Sequence, residues 1–445
     1  MTNLKDKFKQ IEKAPHGFCL AKWYQVTIDL SRGVNHSCHH PERHSNPLSE
    51  IKASPSALHN TEFKLEQRKK MLEGIRPSEC EYCWKIEDTP GENYSDRFIK
   101  STDDWAFDKL EDTLSLPWNT HVAPTYIEVM FSSDCNLNCM YCMADASTSI
   151  EREMKKYGPY PVKSNQHRMQ KIPAISGENP YTEAFWKYLP EIYSKLKVFR
   201  ITGGEPLLSG DTFKFLDFLE ANPNPDLELA INTNLSYSLQ LCEKLMAYIK
   251  VLLAKKCIKK FTVFTSIDGF GDQASYIRQG LSLSKFMSNI ELVNKTAPDI
   301  EIVLMCSFNI LSISSFPKLL EWTSDKKSNG AKITLDISYL KNPEYLRASL
   351  VDKTLLLKLD NILEQMKSNP QFSSYEVLKL ERVINWVHNS YQDAENLQFR
   401  ADFYSFIAEF DKRFNTDFNL LFPEMKSFHN ICYKSYLWAK YEQVE

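Results

Sequence analysis

Three cysteines fall within eight residues, as Cys135-x3-Cys139-x2-Cys142, directly behind the apolar run Tyr126-Ile-Glu-Val-Met-Phe131. That run reads as a buried strand, so the cysteines occupy the loop at a strand's C-terminal end, where β/α architectures keep their chemistry. A structural zinc site normally closes with four protein ligands. Three thiolates in so short a loop can instead hold an iron–sulfur cube and leave one iron open for a small molecule. The alternative is half of a zinc site completed by remote ligands.

Five further strand candidates follow, at Val198–Thr202, 227–232, 261–266, 300–307 and 333–338, with helical patterns between them. Six β/α units predict an α/β fold built on a partial (β/α)6 TIM-like barrel over residues 121–345. Motif-like residues recur where these strands end. The second strand runs into Gly203-Gly204-Glu205-Pro206, the third ends in Asn232-Thr233-Asn234, and the fourth ends in Ser266-Ile267-Asp268-Gly269, followed by Tyr276-Ile277-Arg278. Asn309 follows the fifth. Paired glycines allow close backbone approach to a ligand, and a carboxylate beside them can accept hydrogen bonds from an ammonium group.

The cysteine spacing, with the aromatic Tyr141 just before the last cysteine, resembles that of the radical S-adenosylmethionine (SAM) enzymes. The resemblance implies a [4Fe-4S] cluster on Cys135, Cys139 and Cys142 whose open iron binds SAM. It places Gly203, Gly204, Glu205 and Pro206 around the SAM amino group, with Glu205 as its acceptor, and Tyr141 against the adenine, where a ring face supplies stacking area. Asn234, Ser266, Asp268, Arg278 and Asn309 are the other SAM candidates. A hydroxyl and a carboxylate suit ribose hydroxyls, and the Arg278 guanidinium suits a bidentate carboxylate contact. No residue is assigned as catalytic.

A second group of cysteines lies upstream. Cys19 precedes the alternation Tyr24, Val26, Ile28 and Leu30, a turn at Ser31-Arg32-Gly33, and then Cys38, which reads as a hairpin with a thiol at each end. A helix is predicted over 61–73, stopped by Gly74 and Pro77, and Cys80-Glu-Tyr-Cys83 follows. The order Cys19-x13-Gly33-x4-Cys38 resembles the opening of SPASM and twitch modules, which carry auxiliary iron–sulfur clusters. The implied ligands of a second [4Fe-4S] cluster are Cys19, Cys38, Cys80 and Cys83, in a module over 1–110. The best-known relatives carry this module after the barrel, and here it comes first. A four-cysteine zinc site is the alternative on the same ligands, and His36, His39, His40 and His44 read as polar loop residues around Cys38.

A formal net charge of −3, with Lys and Arg scattered over the 445 residues, offers nucleic acid no basic face. No apolar run reaches the roughly 18 to 20 residues that span a bilayer, and the first residues lack a signal peptide's apolar stretch. A cytoplasmic, reducing location is expected, in which clustered cysteines among the 11 bind metal and Cys242, Cys257, Cys306 and Cys432 are packed thiols. Residues 144–195 read as a helix plus an irregular excursion with no residue that stands out as catalytic. Residues 346–445 read as helices, with faces at Leu355, Leu359, Ile362, Leu363 and Met366, at Val377, Leu380, Val383, Ile384 and Val387, and at Phe399, Phe403, Phe406, Ile407, Phe410 and Phe414.

By resemblance, one electron passed to the SAM sulfonium yields methionine and a 5′-deoxyadenosyl radical that abstracts hydrogen from a substrate. The expected electron donor is a flavodoxin or ferredoxin. The expected substrate is a peptide or protein side chain, and the alternative is dehydrogenation, epimerisation or deamination of a sugar, nucleoside or other small molecule. A non-catalytic iron–sulfur or zinc protein is the third reading.

Overall fold

The computed structural model describes residues 3–91, 93–164, 166–169, 171–175, 177–391 and 396–441, so Met1 and Thr2 of the N-terminal stretch and positions 165, 170 and 176 of the 144–195 excursion lie outside the described residues. The strands are β1 (Gln25–Asp29), β2 (Val34–His36), β3 (His44–Ser45), β4 (Tyr126–Met130), β5 (Asn138–Cys139), β6 (Val198–Thr202), β7 (Glu228–Thr233), β8 (Lys260–Ser266), β9 (Arg278–Gln279), β10 (Glu301–Phe308) and β11 (Ile333–Tyr339). The chain forms two compact units: Met1–Ser132 with Pro173–Ile231 and Leu252–Lys260, and Ser133–Ile172 with Asn232–Val251 and Phe261–Glu445.

In the first unit β1, β4, β6 and β7 run parallel, and β2 and β3 continue from β1 as antiparallel neighbours. β4 and β6 alternate, burying Ile127 and Val129 on one and Phe199 and Ile201 on the other. They pair in register from Tyr126 opposite Val198 to Met130 opposite Thr202, so both end at one level. Gly203 then meets Ser132. Its φ is +135°, and a Cβ there would lie 2.6 Å from the Ser132 carbonyl oxygen. Only glycine fits.

The expected hairpin forms, with Gly33 at φ +65° in its turn. The strand differs in detail from the period-two reading. Tyr24 closes a helical turn, Ala21–Tyr24, and within β1 four of five residues are buried, because β1 also pairs in parallel with β4 and is covered on both faces. The helix expected over 61–73 is Glu62–Leu72, capped by the Thr61 hydroxyl. Its buried face mixes Leu65 and Met71 with polar groups: Lys64 Nζ donates to the Gln25 carbonyl at 3.0 Å, and Arg68 Nε donates to the Lys22 carbonyl at 3.0 Å. These side chains tie the helix to the backbone that enters β1.

In the second unit β8, β10 and β11 run parallel, and β5 and β9 form a two-residue antiparallel pair. The C-terminal helices bury most of their predicted apolar faces, with Val377, Phe399 and Phe414 only half-buried. Leu355, Leu359, Ile362, Leu363 and Met366 are all buried in Lys353–Ser368. Ser374–Ser390 buries Leu380, Val383, Ile384 and Val387. The aromatic stripe of Asn396–Phe414 is core: the Phe403 and Phe428 rings lie 5.2 Å apart, and Phe410 lies 5.3 Å from Tyr276. The four remaining cysteines, Cys242, Cys257, Cys306 and Cys432, are buried as expected. The six strands expected from the sequence, β4, β6, β7, β8, β10 and β11, are each followed by a helix, after β5 in the case of β4, and no strand pairing among the described residues closes a barrel. The class is α/β with a partial barrel. No helix among the described residues is long and apolar enough to cross a membrane.

Candidate metal centres

The loop after β4 carries the cysteine triad, and backbone contacts fix it closely. Met140 N donates to the Ile277 carbonyl at 2.9 Å, and Cys142 N donates to the Cys139 carbonyl at 3.1 Å. Ser149 Oγ donates to the Cys135 carbonyl at 2.6 Å, and Leu137 N reaches Cys135 Sγ at 3.5 Å. Burial pushes the Cys139 thiol up and the Cys142 thiol up to about 11, while the Arg278 and Arg168 guanidiniums favour the thiolate at both. A metal bound at such thiols displaces their protons, because it binds the thiolate.

β5 and β9 bring Arg278 to this loop, with Cys139 directly opposite Arg278. The Tyr141 hydroxyl donates to Asp268 Oδ2 at 2.6 Å, Arg278 Nη2 donates to the Tyr141 hydroxyl, and Arg278 Nε lies 2.7 Å from Asp268 Oδ2. Asp268 Oδ1 accepts from Ser307 N at 2.8 Å. Burial opposes the Arg278 charge, yet Asp268, Tyr141 and Cys139 together outweigh it and raise its pKa, while burial pushes the Tyr141 hydroxyl well up. Three of the sequence-selected residues therefore form one buried, mutually bonded cluster. A carboxylate arriving here would compete with Asp268 for Arg278.

Asn234 joins the same loop, its Nδ2 donating to Asn136 Oδ1 at 2.8 Å. Ser266 is half-buried at the end of β8. Asn309 bonds locally: Nδ2 donates to the Ser307 carbonyl at 3.0 Å and Oδ1 accepts from Leu311 N at 3.0 Å. In the first unit Glu205 is 1% exposed and caps the turn Pro206–Leu208 by accepting from Leu207 N at 3.3 Å.

Sequence reasoning found no functional residue in the 144–195 excursion, and the structure places two against the cysteine loop. Arg168 Nη1 donates to the Cys139 and Met140 carbonyls at 2.7 and 2.8 Å, and Arg168 Nη2 donates to Glu153 Oε2 at 2.5 Å. A single arginine in a polar, proline-punctuated stretch carries no local signal of such a role. His167 Nε2 also lies 3.1 Å from the Tyr141 carbonyl.

Cys19, Cys38, Cys80 and Cys83 all line one cavity of the first unit, together with Lys22 and His40. Cys19 leads into the turn Ala21–Tyr24, Cys38 follows β2, and Cys80 and Cys83 flank the start of helix Glu81–Glu87. Burial pushes Cys80 and Cys83 up to about 12, and Lys22, which pairs with Glu79, opposes that at Cys80. Four thiols around one cavity beside a buried ammonium fit an anionic, fully ligated metal centre. Among the described residues, the only three or more metal-ligating side chains whose donor atoms lie within 4.8 Å of one another are His39, His40 and Asp96. His39 and His40 lie in the loop as expected, whereas His36 ends β2 and His44 opens β3, because the chain pairs back on itself there; His40 Nε2 lies 2.6 Å from Asp96 Oδ2 with its ring stacked on Tyr82, His36 Nδ1 contacts the Cys38 carbonyl, and His44 Nε2 lies 3.1 Å from Thr61 Oγ1.

No family model matches the chain. Over 120 residues, or 27% of this chain, it is 30% identical to a curated protein named GTP 3′,8-cyclase from Nautilia profundicola, and the match spans 30% of that protein's length. Among solved structures it is similar to Streptococcus suis SuiB bound to precursor peptide SuiA, at 14% identity and a TM-score of 0.35 over 80% of this chain and 72% of that one. Streptococcus suis SuiB bound to S-adenosylmethionine matches at 14% identity and a TM-score of 0.36, over 79% and 69% of the two chains. TM-scores below 0.5 do not establish a common fold, so the α/β assignment rests on this chain's own strands.

Proposed function

We propose that this chain is a radical SAM enzyme with an auxiliary cluster. The observation that carries the reading is the β5–β9 pairing, which sets Arg278, Asp268 and Tyr141 against the loop holding Cys135, Cys139 and Cys142. In this reading the three cysteines hold a [4Fe-4S] cluster, and Arg278 pairs with the carboxylate of SAM. Tyr141 presents its ring to the adenine and anchors its hydroxyl on Asp268. Glu205, beside the glycine turn, accepts from the SAM ammonium group. Asn234 and Ser266 complete the polar edge.

When bound, the cluster supplies one electron that splits SAM into methionine and a 5′-deoxyadenosyl radical, which takes a hydrogen atom from substrate and leaves as 5′-deoxyadenosine. The protein's part is orientation and exclusion of water. Cys19, Cys38, Cys80 and Cys83 hold a second [4Fe-4S] cluster with no open iron, in a twitch-like module. The hairpin spacing Cys19-x13-Gly33-x4-Cys38 supports iron–sulfur over zinc there. The electron donor in this reading is a flavodoxin or ferredoxin, and the location is cytoplasmic.

The substrate we propose is a peptide or protein side chain, on the resemblance to enzymes with auxiliary clusters. The local match to a protein named for GTP favours the second reading, a nucleoside, sugar or other small molecule. The test is anaerobic reconstitution of the full chain, reduction, and assay of 5′-deoxyadenosine. Formation of deoxyadenosine is expected from wild type and also from a Cys80→Ala, Cys83→Ala double variant, which loses only substrate turnover. No deoxyadenosine from reconstituted wild type would sink the reading.

A further inference from the structure

We propose that Arg168 is a positioning residue that holds the cysteine loop in ligating geometry by gathering its carbonyl groups. The proposal rests on the reading of Cys135, Cys139 and Cys142 as cluster ligands. Arg168 is 2% exposed, and its Nη1 donates to the carbonyls of Cys139 at 2.7 Å and Met140 at 2.8 Å, with the Cys142 carbonyl at 3.4 Å. All three acceptors belong to the turn between two of the three thiols. The N–H groups of Met140 and Cys142 are bonded elsewhere, to the Ile277 and Cys139 carbonyls. The turn is therefore fixed through its donors and its acceptors, and Arg168 supplies the second restraint.

Arg168 is itself clamped. Its Nη2 donates to Glu153 Oε2 at 2.5 Å, and Glu153 Oε1 accepts from the Tyr160 hydroxyl at 2.5 Å and from Arg413 Nη1 at 3.2 Å. Arg413 belongs to helix Asn396–Phe414, and Glu153 to helix Thr148–Tyr157. Burying a carboxylate between two guanidiniums costs desolvation, and removing one partner leaves the others uncompensated. The arrangement is worth that cost where it specifies one geometry. A planar fork also places one nitrogen on the turn and the other on the carboxylate at fixed separation, which a lysine ammonium cannot reproduce. Groups that orient metal ligands in this way typically contribute 10- to 100-fold in metal affinity or activity.

The test uses the full chain, reconstituted anaerobically, with deoxyadenosine formation and the electron paramagnetic resonance of the reduced protein recorded with and without SAM. Arg168→Met should lower SAM cleavage by about 10- to 100-fold and remove the SAM-induced spectral shift while the signal of the four-cysteine site persists. Arg168→Lys, which keeps the charge and loses the fork, should fall between. Cleavage within about twofold of wild type, with the shift intact, in Arg168→Met would overturn the proposal. If Arg168→Met loses both clusters, Arg168→Lys decides: wild-type cleavage overturns the role and reduced cleavage with the second signal retained sustains it. Wild-type protein that loads the loop with iron yet cleaves no SAM counts against the radical SAM reading instead, and iron retained by the loop in Arg168→Met at the wild-type level would then overturn the positioning role by itself.

Discussion

Arg278 lies across a two-residue antiparallel pair from Cys139, with its Nη1 3.6 Å from the Cys139 sulfur and its Nε 2.7 Å from Asp268. One buried cation thus serves a thiol and a carboxylate together. Arg278→Met should destabilise the protein by about 3 to 5 kcal/mol, because it leaves Asp268 buried and uncompensated. Arg278→Met combined with Asp268→Leu should be less destabilising than the sum of the singles. Urea unfolding of the four proteins measures the coupling, and simple additivity would contradict the buried pair.

Gly203→Ala places a Cβ 2.6 Å from the Ser132 carbonyl at a φ of +135°. A loss of about 1 to 3 kcal/mol is expected. Gly210→Ala meets nothing within 4 Å and serves as the control, with a change of about 0.5 kcal/mol or less expected. Thermal melts of the two variants compare them directly.

Glu205→Ala should weaken SAM binding while leaving iron content unchanged, because in this account the carboxylate meets the ammonium group and ligates no metal. A charge-assisted hydrogen bond contributes about 1.5 to 3 kcal/mol, or on the order of ten- to hundredfold in affinity. Equilibrium binding to reconstituted protein checks this, and an unchanged affinity would remove Glu205 from the SAM site.

Acid should destabilise the first unit through its buried histidines. Burial, with Lys64 beside it, holds His44 down to about 3, and burial holds His59 well below its ordinary value. Above an unfolded pKa of about 6.5 both states bind no proton at these rings. As pH falls below that, the unfolded chain takes up protons that the folded one refuses, so stability declines from pH 6.5 towards pH 3. His44→Gln should flatten this slope in denaturant titrations at several pH values. An unchanged slope would contradict the burial account of His44.

Much of this molecule was legible in the chain. The six β/α strands fell within a residue or so of their predicted ends, because buried parallel strands read as short apolar runs between helical patterns. The face of Lys353–Ser368 was read residue for residue, since an amphipathic helix writes its core contacts at fixed spacing. Hidden were relations that depend on distant segments. Arg168 and Glu153 have no spacing signature, and their partners are backbone carbonyls and Arg413 in a far helix. The parallel pairing of β1 with β4 was equally invisible, because a hairpin pattern does not say what lies on its other edge. The helix Glu62–Leu72 lies where the sequence predicts it, but the burial of Lys64 and Arg68, which serve backbone carbonyls beside Leu65 and Met71, has no sequence period to detect.

The most direct measurement is SAM cleavage by the Cys135→Ala, Cys139→Ala, Cys142→Ala triple variant, reconstituted anaerobically alongside wild type. The account predicts that about four of about eight irons remain, all on the four-cysteine site, and that deoxyadenosine formation is abolished, because no other ligand set leaves an iron open. Deoxyadenosine formed by the triple variant at the wild-type rate would contradict it.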